Sequence, residues 1–187
     1  MSVEGAKPLR DALAAKKTAI IEAWLARILQ TYPEHTGRFL SRERDPFRNP
    51  VGSTLKDALP VLFDGVLEGM DTPRVTPALD SIVRIRAVQD FTAGQALSFL
   101  FLLKQVVREA LRGEIQRYPD GDGLAAVEGK IDEMALLAFD LFMRCREKIY
   151  EIKANEAKRR IYVLEKRYGR EAPATASDPV VSSAPRP

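Results

Sequence analysis

The stretch from Leu124 to Tyr168 constrains this chain most, because it contains no proline and a single glycine, Gly129. Such a sequence favours one continuous helix, and roughly 45 residues at about 1.5 Å per residue span on the order of 65 Å. Helices in globular proteins average about 11 residues. We therefore predict an unusually long C-terminal helix. Its apolar first half completes a helical core, and its charged second half is available to a partner.

Four shorter helices are predicted before it, each from apolar residues at helical spacing. The first runs from Pro8 to just before Pro33 and contains the only tryptophan, Trp24, as a core residue. The others cover about 54–70, 76–88 and 93–115, the last opened by a capping box from Thr92 to Gln95. No strand pair is evident, so the predicted fold is all-α, a bundle of about five helices with a long C-terminal helix.

The segment from Tyr32 to Ser53 interrupts this pattern with three prolines and two glycines. We predict an irregular loop there, with at most one short helical turn at 38–42. Its arginines form either an anion-binding edge or a solvated face paired with nearby carboxylates, and the second alternative is favoured. These arginines are Arg38, Arg42, Arg44 and Arg48.

Composition limits the cellular context. One cysteine in 187 residues excludes an intramolecular disulfide and fits a reducing compartment. The N-terminus lacks the apolar segment of a signal peptide, and the most apolar run, Ala96–Leu103, is too short to span a membrane. A formal charge of +3 does not argue for nucleic-acid binding. We expect a cytoplasmic protein without membrane insertion and without a nucleic-acid partner.

The composition changes after Gly169, where proline, alanine and serine dominate. Such a segment cannot bury enough apolar surface to offset its ordering entropy. We therefore predict three parts: a helical sensory or regulatory domain at 1–148, a projecting helix at 149–169, and a disordered tail at 170–187.

Signs of catalysis are weak. The only histidine, His35, lies far in sequence from the only cysteine, Cys145, which has apolar neighbours. Nucleophilic catalysis requires a base beside the nucleophile. The metal-binding spacings CxxC and HExxH do not occur. We expect no enzymatic activity, no metal site and no cofactor.

The long helix carries two apolar series at alternating steps of three and four residues, which is the spacing of a coiled-coil seam. The first runs from Ile131 to Ile152 and the second from Tyr150 to Tyr168. Between 144 and 170 there are ten Lys or Arg against four Glu. Pairing with a sister helix or an acidic protein partner is the favoured interpretation, and packing along the chain's own bundle is the alternative. The candidate contact residues are Ile149, Ile152, Ile161 and Leu164.

Asp140 lies in the apolar stretch ALLAFDLFM. A buried carboxylate must be paired or protonated, so one hypothesis is a buried ion pair with Arg84 or Arg86. The favoured alternative is a carboxylate that reaches solvent between helices.

The chain also resembles a known family, the N-terminal domain of the RsbRD-type RsbT co-antagonists. The resemblance covers roughly residues 10–168, and its most distinctive part is the run RIRAVQDF, from Arg84 to Phe91. The stretches that carry it are Ala23–Leu25, Tyr32–Pro33, Asp45–Gly52, Ile82–Phe91, Phe101–Lys104 and Phe139–Arg159.

This resemblance implies a dimeric sensory domain of the stress response with a non-haem globin-like fold, joined by its last helix to a STAS domain. No STAS domain follows here, so we expect a stand-alone module that dimerises and signals through the long helix. Two alternatives stay open. One is an accessory protein that docks on a larger signalling or redox complex. The other is a cofactor-binding globin-like protein, although the third helix offers no histidine for haem.

Overall fold

The computed structural model describes residues 6–117 and 123–168, and all regular structure in these ranges is helical. The prediction of an all-α fold with a long C-terminal helix is confirmed. The described helices are α1 (Ala6–Ala15), α2 (Lys17–Gln30), α3 (Glu34–Arg42), α4 (Pro50–Glu68), α5 (Thr72–Val88), α6 (Ala93–Ala110), α7 (Arg112–Arg117) and α8 (Gly123–Tyr168). The predicted disordered tail lies outside the described residues.

The described helices outnumber the predicted five because two predicted helices are divided and because a further helix, α3, lies in the segment predicted to be a loop. The first divides at Lys16 into α1 and α2, and the end of the fourth becomes the separate α7. Two helices begin earlier than predicted, α4 at Pro50 and α5 at Thr72. Proline close to the start of each helix explains this, since the first turn needs no N–H from it.

The segment predicted to be an irregular loop contains a nine-residue helix, α3, so that prediction was wrong over 34–42. Gly37 gives the physical reason. A Cβ atom at Gly37 would lie 2.7 Å from the Leu29 carbonyl oxygen, so this glycine permits close packing of α3 on α2. The burial of Leu40 then adds apolar contact that outweighs the low helix propensity of glycine.

The core forms around Trp24, which is fully buried. Its indole Nε1–H donates to the Phe99 carbonyl oxygen at 2.6 Å, and the two rings stack with their centroids 6.1 Å apart. These contacts join α2 to α6. The assignment of Trp24 as a core residue is therefore confirmed, and its polar atom is satisfied as a buried indole requires.

Two ion pairs set α6 against α8 in antiparallel order. Lys104 pairs with Asp132 at 2.7 Å. Arg108 lies one turn later on α6 and pairs with Glu128, which lies one turn earlier on α8. On the opposite side of α8, the Lys130 ammonium donates to the Val66 carbonyl oxygen at the end of α4. The first half of α8 is thus fixed to two helices, with Ile131, Met134 and Ala138 buried.

The chain divides into two compact units between Glu147 and Lys148. The first contains α1 to α7 and the first half of α8. The second contains the remainder of α8 as far as the structure describes it.

We predict opposite effects for alanine at two helical glycines. At Gly65 in α4, a Cβ atom would lie 2.7 Å from Cγ2 of the buried Val75. Overpacking costs about 1–3 kcal/mol, which exceeds the gain of up to about 1 kcal/mol from helix propensity. Gly65→Ala should therefore lower the free energy of unfolding, measured by urea denaturation. Gly129→Ala is the control, because no atom lies within 4 Å of the added Cβ, and this variant should have a higher free energy of unfolding.

A second prediction concerns pH. The hydrogen bond from Arg108 lowers the pKa of Glu128. A carboxylate whose pKa is lower in the folded state stabilises the fold above its unfolded pKa and loses that contribution as the pH falls. The melting temperatures of wild type and Glu128→Gln should therefore differ at neutral pH and converge in acid. Glu133→Gln, at an exposed position of the same helix, is the control. A difference between wild type and Glu128→Gln that stays constant as the pH falls would contradict the assignment.

Candidate functional site

An apolar face of α8 is exposed within the first unit. Leu136 is 71% exposed, Phe139 45% and Met143 41%, and they follow one another at steps of three and four residues. This spacing places all three on one side of the helix. Their side chains face away from the buried series that begins at Ile131.

A fourth exposed side chain extends this face onto α6. Phe101 is 48% exposed and lies one turn before Lys104, whose ammonium sits 5.9 Å from the Phe101 ring centroid. Because α6 and α8 are antiparallel and Lys104 meets Asp132, Phe101 lies level with the turn of α8 that carries Leu136. We call Phe101, Leu136, Phe139 and Met143 the apolar patch. A charged rim around an apolar centre is the usual anatomy of a protein interface.

In the second unit, every residue from Glu151 to Tyr168 is exposed. Among the predicted contact residues, Ile149 is half-buried, whereas Ile152, Ile161 and Leu164 are each more than half exposed. Their participation in a contact stays a prediction. From 148 to 168 the helix carries seven Lys or Arg and three Glu, so it is basic as well as apolar along one stripe.

The most unusual buried group is the Arg86 guanidinium, which is fully buried without a carboxylate partner in the described part of the chain. It donates to the carbonyl oxygens of Gln95 at 3.0 Å and Ala96 at 3.4 Å, and to the Thr31 hydroxyl at 3.3 Å. Its Nε–H has no acceptor there. One side chain of α5 therefore contacts the beginning of α6 and the end of α2.

Three aromatic rings surround this cation. The guanidinium carbon lies 5.4 Å from the ring centroid of Tyr32, 5.2 Å from that of Phe91 and 5.3 Å from that of Phe99. Aromatic faces attract cations, and more strongly where water is excluded. Burial lowers the pKa of Arg86, and the neighbouring Tyr32 phenol opposes part of that change. Arginine still remains protonated at neutral pH.

The turn after α5 also contacts α8. The Arg146 guanidinium donates to the Ala87 carbonyl oxygen and to the Asp90 carboxylate, both at 3.3 Å. Asp90 has a φ of 59°, a conformation that few residues other than glycine adopt. Arg86, Phe91 and the Arg146 contacts thus belong to one short segment, which joins the aromatic cage to the last turn of α8 in the first unit.

The hypothesis of a buried pair at Asp140 requires correction. Asp140 is exposed on α8, as its favoured alternative predicted. Arg84 is exposed and pairs with Asp80, four residues earlier on α5. Arg86 is buried, but its partners are carbonyl oxygens, a hydroxyl and aromatic rings. No ion pair in the described ranges joins Asp140 to either arginine.

The two residues considered for nucleophilic chemistry lie on different helices. His35 is exposed on α3, and Cys145 is half-buried on α8. Burial, together with the Asp80 carboxylate, raises the pKa of the Cys145 thiol, which disfavours the reactive thiolate. The described residues contain no group of three or more side chains suited to hold a metal ion.

From the sequence, Arg86 was considered only as a partner of Asp140, and neither the aromatic cage nor the apolar patch was identified, although the sequence contained a signal for each. Leu79, Ile82, Val83 and Arg86 follow steps of three and four, so helical periodicity alone places Arg86 on the buried face of α5. Leu136, Phe139 and Met143 have the same periodicity. Periodicity identifies a face, but it does not tell whether the chain itself covers that face.

Comparison with known families adds one finding. The model of the RsbT co-antagonist protein RsbRD N-terminal domain matches residues 18–157, which is 140 of the 187 residues. The chain belongs to the RsbRD N-terminal domain family. The matched range includes the apolar patch, the Arg86 cage and the first ten residues of the second unit.

Membership in the RsbRD N-terminal domain family confirms the resemblance and indicates a regulatory role in stress-response signalling. Neither a curated protein nor a solved structure matches the chain. Among the described helices, none has the length and apolar character needed to cross a membrane.

For this RsbRD-type domain we predict that lysine is a worse replacement for Arg86 than methionine. Arg86→Lys keeps a buried charge but loses the planar contacts, which should cost on the order of 2–4 kcal/mol in the free energy of unfolding. Arg86→Met removes the charge, keeps a similar volume and packs against the rings, so its cost should be below about 1.5 kcal/mol.

Urea denaturation measures both variants, and Arg84→Lys on the exposed face of the same helix is the control. A larger loss for Arg86→Met than for Arg86→Lys would mean that the fold depends on the positive charge itself.

Proposed function

We propose that this chain is a non-enzymatic regulatory module that forms a homodimer through the apolar patch and signals to a protein partner through the C-terminal part of α8. The observation that carries the proposal is the exposed apolar face of Leu136, Phe139 and Met143 on α8. Membership in a family of regulatory domains supports the same function.

A second copy of the chain suits the apolar patch for two reasons. Burying large apolar side chains contributes about 1.5–3 kcal/mol each, so four of them on each protomer supply the centre of an interface. The rim contains both Lys104 and Asp132. In a two-fold dimer the apolar patch of one protomer contacts the same patch of the other. A rim that carries both positive and negative side chains can contact its own copy without net repulsion.

The second unit supports the output part of the proposal. Its stripe of Tyr150, Ile161, Leu164 and Tyr168 is exposed at helical spacing, which is how an amphipathic helix presents side chains to a groove or a sister helix. The excess of Lys and Arg favours an acidic partner.

One observation favours a second candidate function, an accessory protein that docks on an acidic surface of a larger complex. The exposed basic residues of the second unit would be sufficient for such docking without dimerisation. A pull-down with the full chain and with a chain lacking residues 150–187 tests the docking, and the mass measurement below tests the dimer.

The dimer proposal predicts the molar mass in solution. Light scattering should give twice the chain mass for wild type, and Leu136→Glu with Phe139→Glu should give a monomer, because charge would be buried at the centre of the interface. Val88→Glu is the matched control, since Val88 is 65% exposed on another helix, and it should remain dimeric. A monomeric wild type, or a dimer that survives both patch substitutions, would refute the proposal.

The pair Ile161→Glu and Leu164→Glu separates the two roles considered for the second unit. If this stripe pairs with its sister helix, the double variant should dissociate at higher protein concentration than wild type. If the stripe serves only a different partner, the dimer should be unchanged.

A further inference from the structure

The loop between α3 and α4, residues 43–49, presents an aromatic side chain almost entirely to solvent. Phe47 is 97% exposed, the highest exposure among the large apolar side chains of the described residues. A single exposed apolar residue is ordinary on a flexible loop, where the chain can fold it back. This loop is different, because its backbone is held by its own side chains.

Asn49 fixes one end of the loop. It is 2% exposed, and its side-chain amide donates to the carbonyl oxygens of Leu40 at 2.8 Å and Glu43 at 2.9 Å. Its side-chain oxygen accepts the Gly52 N–H at 2.8 Å and caps α4. A Cβ atom at Gly52 would lie 2.3 Å from the Asn49 amide nitrogen, so glycine is needed for this contact.

Asp45 fixes the middle of the loop. Its carboxylate accepts the Phe47 N–H at 3.0 Å, and its own N–H donates to the Glu43 carboxylate at 3.1 Å. Its carbonyl oxygen accepts the N–H groups of Arg48 and Asn49. Pro46 and Pro50 restrict the backbone further. Much of the entropy of ordering this loop is therefore lost during folding, before any partner binds, which is the condition for tight recognition by few residues.

The charges beside Phe47 indicate the chemistry of the partner. Arg38 pairs with Glu34, and Arg48 pairs with Glu43. Arg42, Arg44 and Asp45 are exposed and take no part in the ion pairs that the structure describes, so two arginines outnumber one carboxylate beside Phe47. An exposed aromatic ring with neighbouring arginines is the composition typical of binding hot spots.

We propose that the loop 43–49, with Arg42, is a docking surface for an acidic protein segment that receives the Phe47 ring in an apolar pocket. The unpaired arginines contact carboxylates of the partner, and the Phe47 ring supplies the buried centre of the interface. A membrane surface fits less well, because peripheral binding needs a broad apolar face, and this loop offers one ring. Nucleic acid fits less well, because phosphate binding draws on many cations. This surface is separate from the apolar patch and does not depend on the dimer proposal.

The first experiment identifies what meets Phe47. The full chain, with p-benzoyl-phenylalanine in place of Phe47, is irradiated in a native cell extract, and the cross-linked peptide is sequenced by mass spectrometry. The same photoreactive residue in place of the exposed Val88 is the control for chance encounters. The expected result is a peptide rich in Asp or Glu, found with the residue at position 47 and not at position 88.

The second experiment uses that peptide, synthesised with a fluorescent label, and measures its Kd for the full chain by anisotropy. Phe47→Ala should raise the Kd at least about tenfold, as for a central aromatic residue of an interface, and Arg42→Glu with Arg44→Glu should do the same. Because Phe47 is exposed, Phe47→Ala should leave the melting temperature unchanged. The charge-matched control Arg10→Glu with Lys56→Glu and the patch variant Leu136→Glu should bind as wild type does.

Several outcomes would overturn the proposal. They are cross-linking at position 47 no greater than at position 88, a cross-linked lipid or nucleic acid, a peptide without excess acid, or a Kd that Phe47→Ala leaves unchanged. Vesicles that contain phosphatidylglycerol provide a direct test of the membrane alternative. If the vesicles bind the wild-type protein but not the Phe47→Ala variant, the docking surface belongs to a lipid partner, and the protein-docking proposal fails.

Discussion

The first unit is packed around the fully buried side chain of Arg86, whose charge is the constraint that its surroundings must satisfy. A charge without water must be surrounded by acceptors and aromatic faces, and these come from three helix ends. Thr31 and Tyr32 follow α2, Gln95 and Ala96 begin α6, and Phe91 lies in the turn between α5 and α6. The segment that carries Arg86 and Phe91 also accepts hydrogen bonds from Arg146, so the cage is connected to α8 as well.

The sequence predicted the features that local signals determine. The length of α8, the capping box at Thr92 and the core position of Trp24 follow from the absence of breakers, from hydrogen-bond chemistry and from periodicity. The sequence did not predict α3, because Gly37 is a helix breaker by propensity, and the close approach to Leu29 that requires a glycine is a contact between two helices. Propensity is local, whereas close packing of two helices is not.

The wrong hypothesis of a buried Asp140 and the unpredicted partners of Arg86 have a related cause. The apolar neighbours of Asp140 belong to two faces of α8, one buried and one exposed, and composition alone cannot separate them. The carboxylate lies beside the exposed face. Arg86 has a buried position on α5, but some of its partners are distant in sequence, so no short sequence motif identifies them. The candidate surfaces were harder to predict than the fold, because exposure depends on what the rest of the chain leaves uncovered.

The apolar stripe of the second unit has a consequence for the geometry of any helix pair built on it. Tyr150, Ala157 and Leu164 recur every seven residues, and so do Ala154, Ile161 and Tyr168. A seven-residue period is slightly shorter per two turns than that of the straight α-helix. Two such helices would therefore wind around each other in a left-handed supercoil along the whole stripe, from Tyr150 to Tyr168.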